Sequence, residues 1–350
     1  MGPSQTVIGV DVGRHTIKAA QLLCRRGRPR LFALSVLPRL NAGQGLHGAD
    51  LLTLQKVLKR QGYHGHRIVI AAPEENLLRA ALELPSKVSG APMEQIVRME
   101  LSRLHDVPPN SFEMVHWELR TPDGAKPMTQ TLAYGCPHEA ANAHLDLFEN
   151  AGFDVVGMDL RSAAAMRACE PLLSPPPAIT AIADLGWHSA SVLFACGPLL
   201  IYERSLERTS LAELGSKLTE VFGIPQESAH EVFCTIGLAG EEVVETMDRA
   251  TVHAIRKHLI DHVDRLLEGL RIPLSYANHQ FPGAAVKRML LIGGGAGIPR
   301  LAPYIQERFG IEVRAVGPGD LVESPPELLA KARHPALTVA VGLAQFQESR

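Results

Sequence analysis

The chain has 350 residues, 46% of them hydrophobic, which is more than one hydrophobic core usually serves and predicts two or more subdomains. Its 35 basic and 37 acidic residues give a formal charge of −2, so the whole chain has no net attraction to nucleic acid or to an anionic membrane. Five cysteines without a CxxC pair argue against a disulfide framework or a zinc ribbon and fit a reducing cytosol. Since neither a signal peptide nor an apolar run of about 18 residues is found, we expect a cytoplasmic protein with no direct membrane span.

The N-terminal part of the chain mixes extended and helical patterns. Periodicity predicts the following elements: strands over 6–12, 16–23 and 31–37, a helix over 51–59, and a strand over 67–72. The pattern then changes and predicts a helix over 93–104, strands over 112–119 and 130–136, and a helix over 140–151. We interpret residues 82–152 as an inserted α+β subdomain. A strand over 155–160 and a helix over 162–169 return to the first pattern.

A proline-rich loop, SPPP at 174–177, precedes a second copy of the opening pattern. The segment AITAIADLGWHSASVLFACGPLLIYERSL predicts strand, Asp-x-Gly turn, strand, turn and strand. The elements after it are helices over 211–221, 227–235 and 247–270, a strand over 288–292, a glycine turn over 293–297, and helices over 301–309 and 339–346. We therefore predict an α/β fold with two duplicated lobes. The first comprises 1–81 and 153–176, and the second comprises 177–350 with a helical subdomain over 206–272.

Two predicted hairpins carry an acidic residue at the same position, Asp11 in VDVG and Asp184 in ADLG. In the first hairpin the spacing D-x-G-x-x-T-x-K adds Gly13, Thr16 and Lys18. Glycine lets backbone N–H groups approach phosphate, lysine supplies positive charge, and aspartates can hold a hydrated magnesium ion. A single DxG is more often only a tight turn. Its repetition, together with a third glycine turn, favours a phosphate-binding cleft between two lobes.

The third glycine turn lies in LLIGGGAGIPRL at 290–301, between a buried strand and a helix. Glycine there lets a flat ligand lie against bare backbone. The segment has neither the GxGxxG spacing nor the βαβ context of a dinucleotide fold, so on its own it is weak evidence.

The order of first hairpin, second hairpin and glycine turn is that of the actin-like ATPase superfamily. Within it the chain resembles the PilM family of type IV pilus assembly proteins over nearly its whole length. VDVGRHTIKAAQL is similar to the DIGSSSVKAVEL of that family. The other similar segments are LRAALELP, MEQIVRMELSRLHDVPPNSFEMVHWEL, PHEAANAHLDLFENAGFDVVGMDLRSAAAMRA, ADLGWHSASVLFACGPLLIYERSL, LLIGGGAGIPRLAPYIQERFGIEVRAVGP and ALTVAVGLAQF. Their order and the inserted subdomain are together more specific than any single motif.

The resemblance implies an actin-like ATPase fold and a cytoplasmic scaffold that sits at the inner membrane through a partner. That partner would be the N-terminal tail of a PilN-like membrane protein, which we expect in a groove between the first lobe and the inserted subdomain, alongside other pilus assembly components. The resemblance also implies ATP and Mg in the cleft, setting conformation more than supplying turnover. The implied contacts are Asp11, Gly13, Arg14, His15, Thr16, Lys18, Asp184 and Gly186 for phosphate, Gly293, Gly294, Gly295 and Gly297 for adenosine, and Asp11 and Asp184 for Mg.

Several positions depart from the family pattern and leave nucleotide binding open, with efficient hydrolysis not expected. Bulk at a turn can close the pocket, whereas an arginine in the first loop could still bind phosphate bidentately. The departures are Arg14 and His15 in place of two serines, Trp187 in place of a small residue, Ala190 in place of a threonine, Thr209 and Ser210 in place of paired glycines, and His230 and Phe233 at an acidic and a lysine position.

Two other clusters have simpler explanations than a binding site. His258 and His262 are four residues apart beside Asp261, a spacing compatible with zinc, but they alternate with charged residues as on a solvated helical face. Arginines at 25, 26, 28 and 30 suit a charged hairpin tip, because no aromatic residues alternate with them as in a nucleic-acid site.

Three rival functions come from the same superfamily. An FtsA-like division protein normally ends in a membrane-binding tail, and the cytoplasmic part of a type II secretion platform continues into a spanning helix. We expect neither extension here. A small-molecule kinase would need a catalytic base beside an acceptor pocket, and only the two aspartates present themselves.

Overall fold

The computed structural model describes residues 4–25, 27–40, 45–85, 90–119, 128–206, 209–240, 247–281 and 284–347. The strands, in chain order, are β1 Ser4–Gln5, β2 Ile8–Val12, β3 Thr16–Arg25, β4 Arg28–Pro38, β5 Arg67–Ala71, β6 Leu78–Pro85, β7 Phe112–Leu119, β8 Met128–Pro137, β9 Asp154–Asp159, β10 Ile179–Leu185, β11 Ala190–Cys196, β12 Leu199–Leu206, β13 Val286–Ile292 and β14 Glu312–Ala315. The α-helices are α1 Gly48–Arg60, α2 Met93–His105, α3 His138–Asn150, α4 Arg161–Cys169, α5 Leu211–Phe222, α6 Gln226–Ile236, α7 Arg249–Gln280, α8 Leu301–Phe309, α9 Leu329–Ala332 and α10 Thr338–Ala344.

The first sheet is built around β2. Strand β3 pairs with it antiparallel on one side and β5 pairs with it parallel on the other, with β4 beyond β3 and β9 beyond β5. All but the last residue of β2 are buried, as expected of a strand covered on both faces. The short β1 also pairs with β3, beside the end of β2.

The second sheet repeats this order and these directions around β10. Strand β11 is antiparallel to β10 and β13 is parallel, with β12 beyond β11 and β14 beyond β13. Each sheet therefore has an antiparallel meander on one side of its central strand and parallel strands on the other. The predicted duplication is confirmed.

The inserted subdomain is an antiparallel sheet in the order β6, β8, β7 with α2 on one face. Val97 and Leu101 of α2 pack with Phe112 and Ala133 in a separate small core. On the opposite face, Leu132 and Tyr134 contact Leu200 of the second lobe. Because β6 begins at Leu78, the first half of this strand lies before the predicted boundary at 81/82. The subdomain boundaries drawn from the sequence stay predictions.

The two sheets share a core in which α4 and α10 lie. This core joins Leu22 and Val69 of the first sheet to Ile182 and Leu193 of the second. Although α10 falls in the range predicted as the second lobe, it packs against β2, β3 and β5 of the first sheet as well as α4. The lobes are thus connected by buried apolar contacts below the cleft.

The helix predicted over 247–270 is longer than expected, because α7 continues through Pro273 to Gln280. Buried Leu274 and Ala277 anchor the extra turns, so apolar packing compensates for the backbone bond that proline removes. Charged residues recur along α7, and none of the described helices combines the length and apolarity needed to cross a bilayer.

Candidate functional site

The first hairpin ends β2 with Asp11 directly opposite Lys18 of β3. Gly13 donates its backbone N–H to the Thr16 carbonyl at 2.9 Å and closes the turn. The Lys18 ammonium lies back over this turn, 3.3 Å from Asp11 Oδ2 and 2.6 Å from where a Cβ of residue 13 would stand. The predicted frame of Asp11, Gly13, Thr16 and Lys18 is therefore assembled, with the lysine engaged by the aspartate.

A buried ion pair holds this hairpin from within the first lobe. Arg39 Nε donates to Asp50 Oδ2 at 3.2 Å, and both side chains are almost fully buried. The same guanidinium donates to the carbonyl oxygens of Gly13 and Arg14 at 3.3 and 3.4 Å. Sequence reasoning missed this support, since no local spacing connects β4 and α1 to the turn.

The two unusual residues of the first hairpin point in different directions. Arg14 extends to Glu75 at the entrance to the inserted subdomain, with Nη2 3.1 Å from Oε2. The His15 ring contacts Trp187 of the second hairpin edge to face, with ring centroids 4.8 Å apart. One departure therefore reaches the segment that leads into the inserted subdomain, and the other crosses the cleft.

The second hairpin and the third glycine turn meet at Asp184, at the end of β10. Gly293 has φ +84°, and a Cβ there would overlap Asp184 Oδ1, so both conformation and space demand glycine. Gly186 is similarly close to the Ser189 carbonyl, at 2.6 Å for an added Cβ. The carbonyl oxygen of Gly294 lies 3.2 Å from His230 Nε2.

The remaining glycines of this turn differ in their surroundings. A Cβ at Gly295 would lie 2.9 Å from Leu211 Cδ1, whereas Gly297 has open space around it. The turn is thus packed against the hairpin and α5 along most of its length.

Arg161, which sequence reasoning did not single out, joins the two predicted magnesium aspartates. As the first residue of α4 it donates from Nη1 to Asp11 Oδ1 and from Nη2 to Asp184 Oδ2, the latter at 3.0 Å. Its Nε lies 3.6 Å from Glu74 Oε1. One guanidinium thus contacts both lobes and the segment that leads into the inserted subdomain.

The charges at this junction stabilise one another. Burial alone would raise the pKa of Asp11, but Arg161 and Lys18 hold it below its ordinary value. Burial opposes the charge of Arg161, yet Asp11, Asp184 and Glu74 raise its pKa, so the guanidinium stays protonated. Among the described residues, Asp184 Oδ1 is buried without a hydrogen-bond partner.

The other departures gather around Trp187. Its indole lies 6.1 Å from the His230 ring and 6.3 Å from Phe233, nearly parallel to the latter. Ser210 caps α5 by accepting from the Ala212 N–H, and its hydroxyl donates to the Trp187 carbonyl at 3.1 Å. Five of the residues that depart from the family pattern therefore fill one region, between the first hairpin and α5 and α6; they are His15, Trp187, Ser210, His230 and Phe233.

Three more of the named positions make contacts away from Trp187. Thr209 is buried and bonds the Leu206 carbonyl, while Ala190 is a buried residue of β11. Thr16 pairs with Pro38 in the meander.

The residues of the cleft do not fit a magnesium–ATP complex in this conformation. A divalent cation shared by Asp11 and Asp184 would stand where the Arg161 guanidinium stands, and the two cations repel each other. Trp187 fills space beside the second hairpin that a small residue would leave open, since its indole lies between the rings of His15 and Phe233.

The prediction that His262 lies on a solvated face of α7 is wrong, because its side chain is only 2% exposed. Burial and the neighbouring Arg265 lower its pKa to about 4. His258 instead packs edge to face on Phe222. Across the described ranges, His, Cys, Asp and Glu side chains form no group of three placed to hold a metal ion.

Two duplicated sheets that flank a cleft, with a hairpin from each and an inserted subdomain, define an actin-like fold. Solved structures share it. A chain of a PilM–PilN type IV pilus biogenesis complex matches with a TM-score of 0.77 at 20% identity, over 97% of this chain and 98% of that one. The ethanolamine utilization protein EutJ of Carboxydothermus hydrogenoformans matches with 0.54 at 15% identity, over 99% and 91%.

The family model of the type IV pilus assembly protein PilM matches residues 9–347. The chain belongs to that family. The predicted fold class and family are both confirmed.

Proposed function

We propose that this protein is an actin-like scaffold of type IV pilus assembly that binds the N-terminal tail of a PilN-like inner-membrane protein. The observation that carries the proposal is the family match over 9–347, which includes the inserted subdomain. The solved PilM–PilN complex supports the choice of partner for a chain of this family. In this role the protein works in the cytoplasm, is held at the inner membrane through its partner, and meets other pilus components there.

We place the peptide at the junction between the first lobe and the inserted subdomain. Strand β8 passes directly into α3 here, and the His138 N–H donates to the Ser111 carbonyl at 2.9 Å. Nearby, His138 Nε2 lies 3.4 Å from Glu113 Oε1, and both side chains are well exposed. Since α3 packs against α1 and β9 of the first lobe, these accessible polar side chains lie where the two parts meet, and an extended peptide bound here would contact both.

The structure favours binding over the kinase alternative. A kinase of this superfamily needs a base that accepts the proton of an acceptor hydroxyl. Both candidate bases, Asp11 and Asp184, are engaged by Arg161. In this arrangement each of the two carboxylates bonds the guanidinium, and no acceptor pocket is arranged around either of them among the described residues.

Isothermal titration calorimetry with a synthetic N-terminal PilN peptide tests the proposal. We expect saturable one-to-one binding that Asn110→Trp, at the exposed end of the loop before Ser111, weakens at least about tenfold because the indole obstructs the junction. Val221→Trp is the matched control, on the exposed face of α5 in the second lobe, and should bind like the wild type. A flat titration of the wild type would overturn the function. Unchanged binding by a folded Asn110→Trp protein would overturn the location.

A further inference from the structure

Two aspartates from duplicated hairpins face each other across the cleft, so a positive group between them would hold the lobes together. We infer that Arg161 is this group in the present chain, and that the cleft is a permanent lobe-to-lobe bridge into which no magnesium–nucleotide complex enters. The inference goes beyond the proposed scaffold role, because it makes lobe closure independent of nucleotide.

The geometry of Arg161 is that of a bridge. Its two terminal nitrogens bond carboxylates from different lobes, and the third nitrogen faces Glu74. A planar guanidinium with donors in a fixed fork suits such a multiple contact, whereas a lysine would provide a single point. The helix that carries it, α4, is packed against α10 in the core shared by both lobes. The backbone that carries Arg161 is therefore held in place by packing in this core.

The charges of the bridge are already balanced. Three carboxylates take part, from Asp11, Asp184 and Glu74. Three cations accompany them, since Lys18 lies 3.3 Å from Asp11 and Arg79 lies 3.5 Å from Glu74, in addition to Arg161. A magnesium ion would add two positive charges to this set and would have to displace Arg161 from both aspartates.

The other side of the cleft is filled by a matched pair, Trp187 and Gly215. A Cβ on Gly215 of α5 would lie 3.0 Å from the indole, so the glycine makes the room that the tryptophan takes. His15 and Phe233 close around the same ring. The indole is therefore packed on several sides within the cleft and does not lie beside an open pocket.

Nucleotide titration of the wild type is the first arm of the test. We expect no saturable heat with magnesium–ATP or magnesium–ADP up to about 1 mM, and no shift of the thermal unfolding midpoint. A saturable signal in either assay, in the wild type, would overturn the inference. This result does not depend on the peptide titration. Nucleotide binding is measured without the peptide, so the inference can fail while the proposed function holds, and the reverse.

The second arm removes the bridge. Arg161→Met should lower the midpoint by about 5 °C and speed amide hydrogen exchange about tenfold in the hairpins at 11–18 and 184–190, with partial recovery in Arg161→Lys. Arg308→Met is the control, because Arg308 makes an ion pair with Asp264 inside the second lobe. Equal exchange in wild type and Arg161→Met would contradict the bridge. If Arg161→Met does not fold, Arg161→Lys replaces it and must exchange faster than the wild type.

Discussion

Ala164 of α4 and Gly342 of α10 approach so closely that a Cβ on Gly342 would overlap the Ala164 carbonyl oxygen. The two helices cross at this point in the core that both sheets share. Next to it, Arg167 donates to the Gly342 carbonyl at 2.7 Å and to Asp159 at 2.9 Å. Contact between backbones, rather than between side chains, thus sets how near the lobes lie below the cleft.

Replacing this glycine should therefore separate the helices. We expect Gly342→Ala to lower the free energy of unfolding by about 3 kcal/mol, because the methyl group meets backbone that cannot rotate away. Gly48→Ala, a position with open space around it, is the control and should change stability by less than about 1 kcal/mol. Urea unfolding of both variants measures the difference, and equal stabilities would show that the crossing is not tight.

The buried pair beneath the first hairpin should be costly to break. Asp50→Ala leaves Arg39 charged and buried and removes the acceptor of the Leu40 N–H, so we expect a loss of about 3 kcal/mol. Glu312→Ala breaks the Arg288–Glu312 pair, which is half exposed, and should cost less than about 1 kcal/mol. Comparable losses in the two variants, measured by chemical unfolding, would contradict a supporting role for Asp50.

His262 should make stability depend on pH. Because its folded pKa is about 4, below the ordinary 6.5, the unfolded chain binds the proton more tightly, so stability is complete above pH 6.5 and falls as the pH drops towards 4. At pH 5 the loss is about 2 kcal/mol, since each pKa unit is worth about 1.4 kcal/mol. His262→Gln should lack this part of the pH dependence in unfolding curves at about pH 7.5 and pH 5. If the free energy of unfolding falls equally between the two pH values in the wild type and in His262→Gln, His262 is not the source of this pH dependence.

The Trp187–Gly215 contact can be probed with a pair of helical glycines. Gly269→Ala in α7 meets only ordinary contacts and should stabilise the protein by about 0.5–1 kcal/mol through helix propensity. Gly215→Ala should not gain this stability, because the added methyl group meets the indole of Trp187. It should also shift the fluorescence emission of Trp187 to longer wavelength, because the indole is pushed towards solvent. An equal gain in both variants with unchanged emission would mean that the ring is not held by α5.

The order of strands and the two hairpins could be predicted because they depend on local patterns: β-branched runs, DxG turns and a proline loop. The Arg161 bridge could not, since its partners at 11 and 184 are brought near only by the folded lobes. His262 was misplaced for a different reason. It lies three residues after Leu259 and four before Leu266, so it shares their buried face despite its charged neighbours.

A scaffold that binds its partner without nucleotide is tested most directly by the affinity of the PilN peptide for the wild-type protein, measured by calorimetry with and without magnesium–ATP. A nucleotide-independent scaffold predicts saturable binding with dissociation constants that agree within about twofold. Binding that appears only with magnesium–ATP, or in neither buffer, would contradict it.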